Sequence, residues 1–399
     1  MQTLIELYDE RPLENVLGVE VFRPDRVVYV CPERVAKDHA LQRRLRDFYT
    51  HRGQEIQVEF VKADVYRADA ILKTLRGIVA RFPDCAVDIT GGTDAVLYAA
   101  GMLGSELGVP AFTYSRRKNC FYNIHNADFA DGLPCEVVYS VEDCFRMAGG
   151  SVRTGRVDNG ILRRYLDDID PFFRLFLKHR RQWVSVIGFL QRVSQAPSDA
   201  APSLTVHGGY SVKSERGGRI EAPEEALRDM KKIGFIKNLS IDREDGVRFT
   251  FRDEQIRHWL RDVGSVLELY VYKTCSDLGL FDDVRLSAVV DWEDTEPANA
   301  VSNELDVMCT RGVTPVFISC KTGEVRTEAL NELAVLRDRF GGRVARAAVV
   351  TAERGGIPMR NRAAELNIQV IDLEDLSAGR LGKRIRKLIN GSFSGRNLP

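Results

Sequence analysis

The sequence predicts an α/β protein of three parts, two α/β units flanking a helical and winged-helix-like middle, and three observations carry that expectation. Strand-like and helix-like segments alternate through the first 145 or so residues. The last third restores an α/β pattern in another order: helix, three antiparallel strands, helix, strand. Between them lie long apolar helical stretches and one short hairpin. The parts so defined are 1–150, 151–258 and 259–399. A chain of 399 residues can bury two or three cores, and 44% hydrophobic with 29% charged residues is an ordinary globular composition.

In the first unit Thr3–Tyr8, Arg26–Cys31, Ile56–Val61, Ala86–Thr90 and Ala111–Tyr114 read as strands. Leu13–Val21, His39–Tyr49, Ala68–Arg81 and Asp94–Leu107 read as helices, with Gly53 and Gly108 placed to close two of them. Short connections make the strands parallel and cover both faces with helices, which is Rossmann-like. In such a sheet the first and fourth strands are neighbours, so the loops after them, Asp9-Glu10-Arg11-Pro12 and Thr90-Gly91-Gly92-Thr93-Asp94, line one crevice. Pro12 suits a first helical turn. Glycines 91 and 92 let backbone N–H groups approach a ligand, and Thr90 and Thr93 add hydroxyls at a helix N-terminus, a place that favours phosphate. Alone, such a loop is a tight strand-to-helix turn.

Phe121–Glu136 reads as a hairpin followed by a turn, and Val141–Met147 as a helix. Leu162–Val193 is helical, with an apolar stripe of Leu166, Ile169, Phe173, Phe176 and Leu177. The run Lys178-His179-Arg180-Arg181 is expected to be a solvated helix face rather than a phosphate site. Gln195–Ser203, rich in Ala, Pro and Ser, reads as a linker or exposed loop. Polar helix Glu224–Lys232 precedes Leu239–Ile241 and Val247–Phe251, which pair across Asp245-Gly246; the unit resembles a small winged helix.

In the last third Leu260, Val263, Leu267, Tyr270, Val271 and Leu278 recur at helical spacing, with Glu268 beside the stripe. Strand Val284–Asp291 follows, then Glu304–Met308 and Pro315–Lys321 joined at Arg311-Gly312. Helix Glu328–Phe340, strands Val344–Thr351 and Ile368–Asp372, and a basic helix, Arg380–Ile389, complete the chain. Strand alternation puts Leu305 and Val307 opposite Glu304, Asp306 and Met308, and Val316, Ile318 and Cys320 opposite Phe317, Ser319 and Lys321. With the apolar sets turned to one core, Glu304, Asp306 and Lys321 converge. Two carboxylates and an ammonium so placed can hold a divalent metal and its water beside a phosphate. The competing reading is an exposed hairpin with a charged face.

This hairpin resembles the PD-(D/E)xK nuclease core, in which an Asp on one strand is followed on the next by an acid-x-Lys triplet. Asp306 fits the first position and Lys321 the last, while Ser319 stands where the family has Asp or Glu. Glu304, one pleat from Asp306, or Glu324, just beyond Lys321, would replace the missing carboxylate. Together with DITGGTDAVLYAAG and the DERPLEN loop, it looks like the CARF-domain nucleases associated with type III CRISPR systems. There a Rossmann-like sensor binds a cyclic oligoadenylate and switches on a C-terminal PD-(D/E)xK domain. The resemblance implies a cyclic oligoadenylate, the tetra-adenylate form, bound by Asp9, Glu10, Arg11, Thr90, Gly91, Gly92 and Thr93. It implies Mg2+ or Mn2+ on Asp306 and Glu304, joined by Glu268, because a helix before the strands often supplies a Glu in this family. Asp306, Glu304 and Lys321 would be catalytic, Lys321 orienting the attacking water and offsetting charge on the phosphorane. The substrate would be single-stranded RNA or DNA, or duplex DNA, and the protein a homodimer, because a two-fold pair of sensors matches a ring of repeated units. The alternative is a nucleotide-sensing, DNA-binding regulator with a decayed nuclease core. A nicotinamide enzyme is disfavoured, since no GxGxxG follows the first strand.

Composition narrows the partners further. Lys+Arg and Asp+Glu both number 57, so no global field gathers nucleic acid and any such contact is local. The eight cysteines show no CxxC and no histidine at ligand spacing, which disfavours a structural zinc or a disulfide framework and suits buried thiols in a reducing compartment. The start is unlike a secretory leader and no apolar run is long enough to cross a bilayer, so the expectation is a cytoplasmic protein without a membrane partner.

Overall fold

The computed structural model describes residues 1–154, 162–195, 203–214, 217–291 and 302–390. Strands β1 (Thr3–Leu7), β2 (Arg26–Cys31), β3 (Gln57–Lys62), β4 (Cys85–Asp88) and β5 (Ala111–Ser115) form a parallel sheet in the order β3-β2-β1-β4-β5, with β6 (Cys120–His125) antiparallel at the edge. Apolar runs such as Leu4-Ile5 and Val27-Val28 are fully buried because helices cover both faces. Helices Pro12–Phe22 and His39–His51 pack on one face, Ala68–Arg81 and Asp94–Leu107 on the other. The hairpin expected within Phe121–Glu136 is instead one strand, β6, paired back onto β5. The Asn123 side chain holds the turn that follows: it donates to Asp128 (2.7 Å) and accepts the Ala127 N–H (2.9 Å), and Asn126, just past the strand, turns into the left-handed region at φ 48.

Strand β7 (Ser151–Thr154) lies just past the boundary expected at 150, yet it joins the C-terminal sheet as its edge. The middle holds β8 (Thr205–Gly208), β9 (Ser211–Lys213), β10 (Arg219–Glu221), β11 (Ile236–Asp242) and β12 (Gly246–Phe251). The three-stranded sheet β11-β12-β8 with helix Glu224–Lys232 makes the winged-helix-like unit. Residues 196–202 of the expected linker lie outside the described residues.

Helices Leu166–His179 and Trp183–Val193 carry the aromatic centre of the middle, where Phe172 stacks on Trp259 at 5.8 Å. The run 178–181 is solvated only in part: Lys178 and Arg181 are exposed as expected, whereas His179 is buried and Arg180 half-buried. Lys178 pairs with Asp229 (2.6 Å) and Glu225 (2.8 Å), buried His179 bonds Asp229 (2.8 Å), and Arg180 pairs with Glu353 (2.8 Å). Helix Glu224–Lys232 brings the two acids across; His179, Glu225 and Asp229 lie within ligand reach of one another, and both acids pair with the Lys178 ammonium.

The C-terminal sheet runs β17-β16-β15-β14-β13-β7, with β13 (Asp283–Asp291), β14 (Ser302–Arg311), β15 (Thr314–Lys321), β16 (Arg346–Thr351) and β17 (Ile368–Ile371). Strands β7, β13, β14 and β15 are antiparallel neighbours, and helix Thr327–Gly341 carries the chain over to parallel β16 and β17. One core joins a face of this sheet to the middle, through Val307, Ile318 and Trp259 among others. A second joins its opposite face to the N-terminal sheet. Helix Val141–Ala148 lies between them and touches both helix Pro12–Phe22 and helix Thr327–Gly341. It begins with a capping box between Ser140 and Asp143, is held by Arg52 on Asp143 (3.2 Å), and packs Phe145 on Phe340 at 4.7 Å. All eight cysteines are free, and seven are buried. Among the described residues no helix is long and apolar enough to cross a membrane.

Candidate functional site

Side chains do not alternate evenly along β13 and β14. Leu286 and its partner Val307 enter the core shared with the middle, whereas Ala288 and its partner Leu305, two residues away, enter the opposite core. Between them Ser287 sits at φ 51. The strand pair therefore rolls over at Ser287 and Asp306, and the expected common face of Leu305 and Val307 is absent. The roll is what presents Asp306 to a cleft. The β14–β15 ladder stops at Val307 and Ile318, and beyond it the Asp306 carboxylate accepts the Cys320 N–H (2.6 Å) and the Ser319 hydroxyl (3.1 Å). Ser319, where an acid was expected, thus helps to hold Asp306. The Lys321 ammonium stands 3.6 Å from the same carboxylate.

Glu268 comes from helix Ser265–Asp277. That helix is anchored by Asp262, which accepts the Ser265 N–H (3.1 Å) and hydroxyl (2.6 Å). A side chain at Gly264 would come within 2.8 Å of Glu268 Oε1, so the glycine leaves room for Glu268 to fold back over the helix start. Burial, and then the charges of Asp306, Asp262 and Glu304, push the Glu268 carboxyl up from 4.5 to about 8, with Lys321 opposing. Asp262, Glu268, Glu304 and Asp306 line one cleft of about 210 Å³, together with His258 and Trp259.

The three carboxylates expected from the sequence therefore line one cleft, with Lys321 beside one of them. Glu324, exposed on the loop after β15, is not among the cleft residues. Asp262 and His258 were not singled out in the sequence. Nothing in the sequence marks either of them as a cleft residue. As a donor set the cleft suits a hard divalent cation: it is lined by carboxylate oxygens, and these outnumber the nearby ammonium.

At the other end of the chain β1 and β4 are neighbours and their loops touch. The Gly92 N–H donates to Asp9 (3.2 Å). Asp9 is buried and also accepts Arg11 Nε (2.6 Å) and the Arg11 N–H (2.9 Å), while Asn15 bonds its backbone on both sides. Burial works to raise the Asp9 carboxyl, but the bonds from Arg11 and Gly92 outweigh it and hold it below 3.8. Glu10 is exposed and paired with Arg34. The glycines also answer a packing demand. A side chain at Gly92, at φ +100, would point at Leu7 and Val96, and one at Gly91 would meet Asp9 and the Leu7 carbonyl at 3.0 Å, so both serve close packing on β1.

Several donors of this loop are already engaged. The Thr90 N–H reaches Asp88 (2.7 Å) and the Thr93 hydroxyl reaches the Val65 carbonyl (3.1 Å), while Thr90 Oγ1 accepts the Tyr114 N–H (2.9 Å). Thr93 does not cap helix Asp94–Leu107, so the first-turn N–H groups are left for a ligand. The sequence reading missed the loop after β5. Arg116 pairs with Glu14, and Arg117 and Lys118 are exposed with no ion pair among the described residues. This loop leaves the same edge of the sheet as the other two.

Residues 253–389 match the family model of the Card1-like endonuclease domain. No curated protein matches the chain in sequence. Two solved structures share its fold over nearly the whole length. Protein VC1899 from Vibrio cholerae has a TM-score of 0.72 at 18% identity, covering 98% of this chain and 99% of that one. Can2 from Sulfobacillus thermosulfidooxidans, in complex with cyclic tetra-adenylate, has a TM-score of 0.70 at 18% identity, covering 97% and 99%.

Proposed function

We propose that this chain, whose residues 253–389 match a Card1-like endonuclease domain, is a metal-dependent nuclease activated by a cyclic oligoadenylate in type III CRISPR antiviral defence. The observation that carries the proposal is the meeting of Asp306, Glu304 and Glu268, from a strand and a helix, in one cleft with Lys321 beside Asp306. Asp306, Glu268 and Glu304 would hold Mg2+ or Mn2+. A metal bound there polarises the phosphate and lowers the pKa of a bound water. Asp306 is kept in place by the Cys320 N–H and the Ser319 hydroxyl, so little reorganisation is needed when substrate arrives. Lys321 orients the attacking water and offsets charge that builds on the phosphorane.

Cyclic tetra-adenylate, the molecule in the Can2 complex, would lie against the loops after β1, β4 and β5. Each of its phosphodiesters carries a negative charge, which suits the free first-turn N–H groups of helix Asp94–Leu107 and the exposed Arg117 and Lys118. A second copy of the chain would complete the site by surrounding the ring from the other side. Replacing Arg117 and Lys118 together with Ala is expected to weaken binding of cyclic tetra-adenylate about five- to tenfold by calorimetry, without moving the melting temperature. Unchanged affinity would take this loop out of the site.

The test of the whole reading is cleavage of labelled single-stranded RNA, single-stranded DNA and duplex DNA with Mn2+, with and without cyclic tetra-adenylate. Activity that needs both is expected. Ser319 in the family's acid position favours the alternative, a DNA-binding regulator with a decayed nuclease core. Ligand binding without cleavage of any substrate would select it.

A further inference from the structure

We propose that His258 is a catalytic residue that gives its proton to the leaving oxygen; this rests on the nuclease reading above. His258 lies on helix Glu254–Trp259, outside the sheet that carries Asp306 and Glu304, and it lines the same cleft. The other side chains lining that cleft are carboxylates, hydroxyls, an indole and aliphatic groups, so His258 is the one member of the lining that can carry a positive charge.

The helix is firmly seated. Asp253 caps it by accepting the Ile256 N–H (2.9 Å), Ile256 and Trp259 are fully buried, and Trp259 stacks on Phe172. The His258 ring by contrast is exposed and makes no side-chain hydrogen bond or ion pair among the described residues. Beside it the buried Trp259 indole N–H has no acceptor either. Two side-chain donors that line this cleft without an acceptor among the described residues leave a place for a group that accepts hydrogen bonds; phosphodiester oxygens fit.

Asp306 connects the two ends of the arrangement. It faces the cleft that His258 lines and takes the Lys321 ammonium from β15. In an in-line displacement the attacking water and the leaving oxygen lie on opposite sides of phosphorus. With Lys321 on the water, His258 falls to the leaving group. As the bond from water oxygen to phosphorus forms, the bond to the leaving oxygen breaks and its electron pair takes the imidazolium proton. The water's proton passes to solvent, and solvent reprotonates the imidazole.

The test compares two oligonucleotides, one natural and one with sulfur in place of the leaving oxygen, at the 3′ or the 5′ bridging position as the cut requires. A thiolate leaves without being protonated. With Mn2+ and cyclic tetra-adenylate, His258→Ala is expected to cut the natural substrate about a hundredfold more slowly than wild type, and the sulfur substrate within about fivefold of it. Lys321→Ala should be slow on both. Mn2+ affinity and melting temperature of His258→Ala should match wild type. Equal loss on the two substrates, or no loss on the natural one, overturns the assignment while leaving the nuclease reading standing. A wild type that cuts neither substrate removes the nuclease reading and this assignment with it.

Discussion

Asp306→Asn is expected to abolish activator-dependent cleavage, by roughly a thousandfold or more, about 4 kcal/mol of transition-state stabilisation, and to remove Mn2+ binding measured by calorimetry. Asn keeps the size and an acceptor for the Cys320 N–H, so the β14–β15 junction survives and the lost term is the charge. Lys321→Ala separates the roles: metal affinity should persist while the rate falls about a hundredfold, because the ammonium acts on the nucleophile and on developing phosphorane charge. Glu304→Gln should resemble Asp306→Asn if Glu304 replaces the acid absent at Ser319. Wild-type rates in both Asp306→Asn and Lys321→Ala would show that the chemistry lies elsewhere.

Glu268→Gln is expected to make the metal-free protein more stable while costing it activity. The folded state raises this carboxyl from 4.5 to about 8, so it binds a proton more tightly folded than unfolded. Its contribution to stability is therefore complete below pH 4.5 and is lost as pH rises to about 8. Gln carries no such loss. At pH 7 the variant should gain about 2–3 kcal/mol over wild type, little near pH 5 and most above pH 8. Denaturation of the chelator-treated proteins across that range measures the gap. Equal midpoints at every pH would mean that Glu268 is not the strained member of the cluster. Saturating Mn2+ should narrow the gap from the wild-type side, because the cation takes the place of the proton.

Much of the first unit was legible because parallel strands buried on both faces announce themselves as apolar runs, and Gly108 marks its helix end plainly. Ala68–Arg81 and Asp94–Leu107 match the structure to the residue. The site was legible by residue type and not by geometry. Alternation brought Glu304, Asp306 and Lys321 together on paper, but the structure does it by rolling the strands at Ser287, a residue with no sequence signal for a positive φ. The same roll separates Leu305 from Val307. That glycines 91 and 92 also make room for β1 was not legible, because it depends on how closely the two loops pack. The burial of His179 and Arg180 was not legible because their partners, Asp229 and Glu353, are remote in the chain. His258 was invisible for the same reason: only folding sets helix Glu254–Trp259 against the carboxylates.

Helix Val141–Ala148 sits in a core that belongs at once to the N-terminal sheet and to the C-terminal sheet. Its residues answer to two neighbours, and an adjustment that suits one must be accepted by the other. Exchange of the N-terminal unit for that of a relative would fail at this seam unless Phe145, Phe340 and the Arg52–Asp143 bond travelled with it. The two units are in this sense a single heritable piece, and a close-packed core shared by both leaves little slack to absorb a displacement of either sheet.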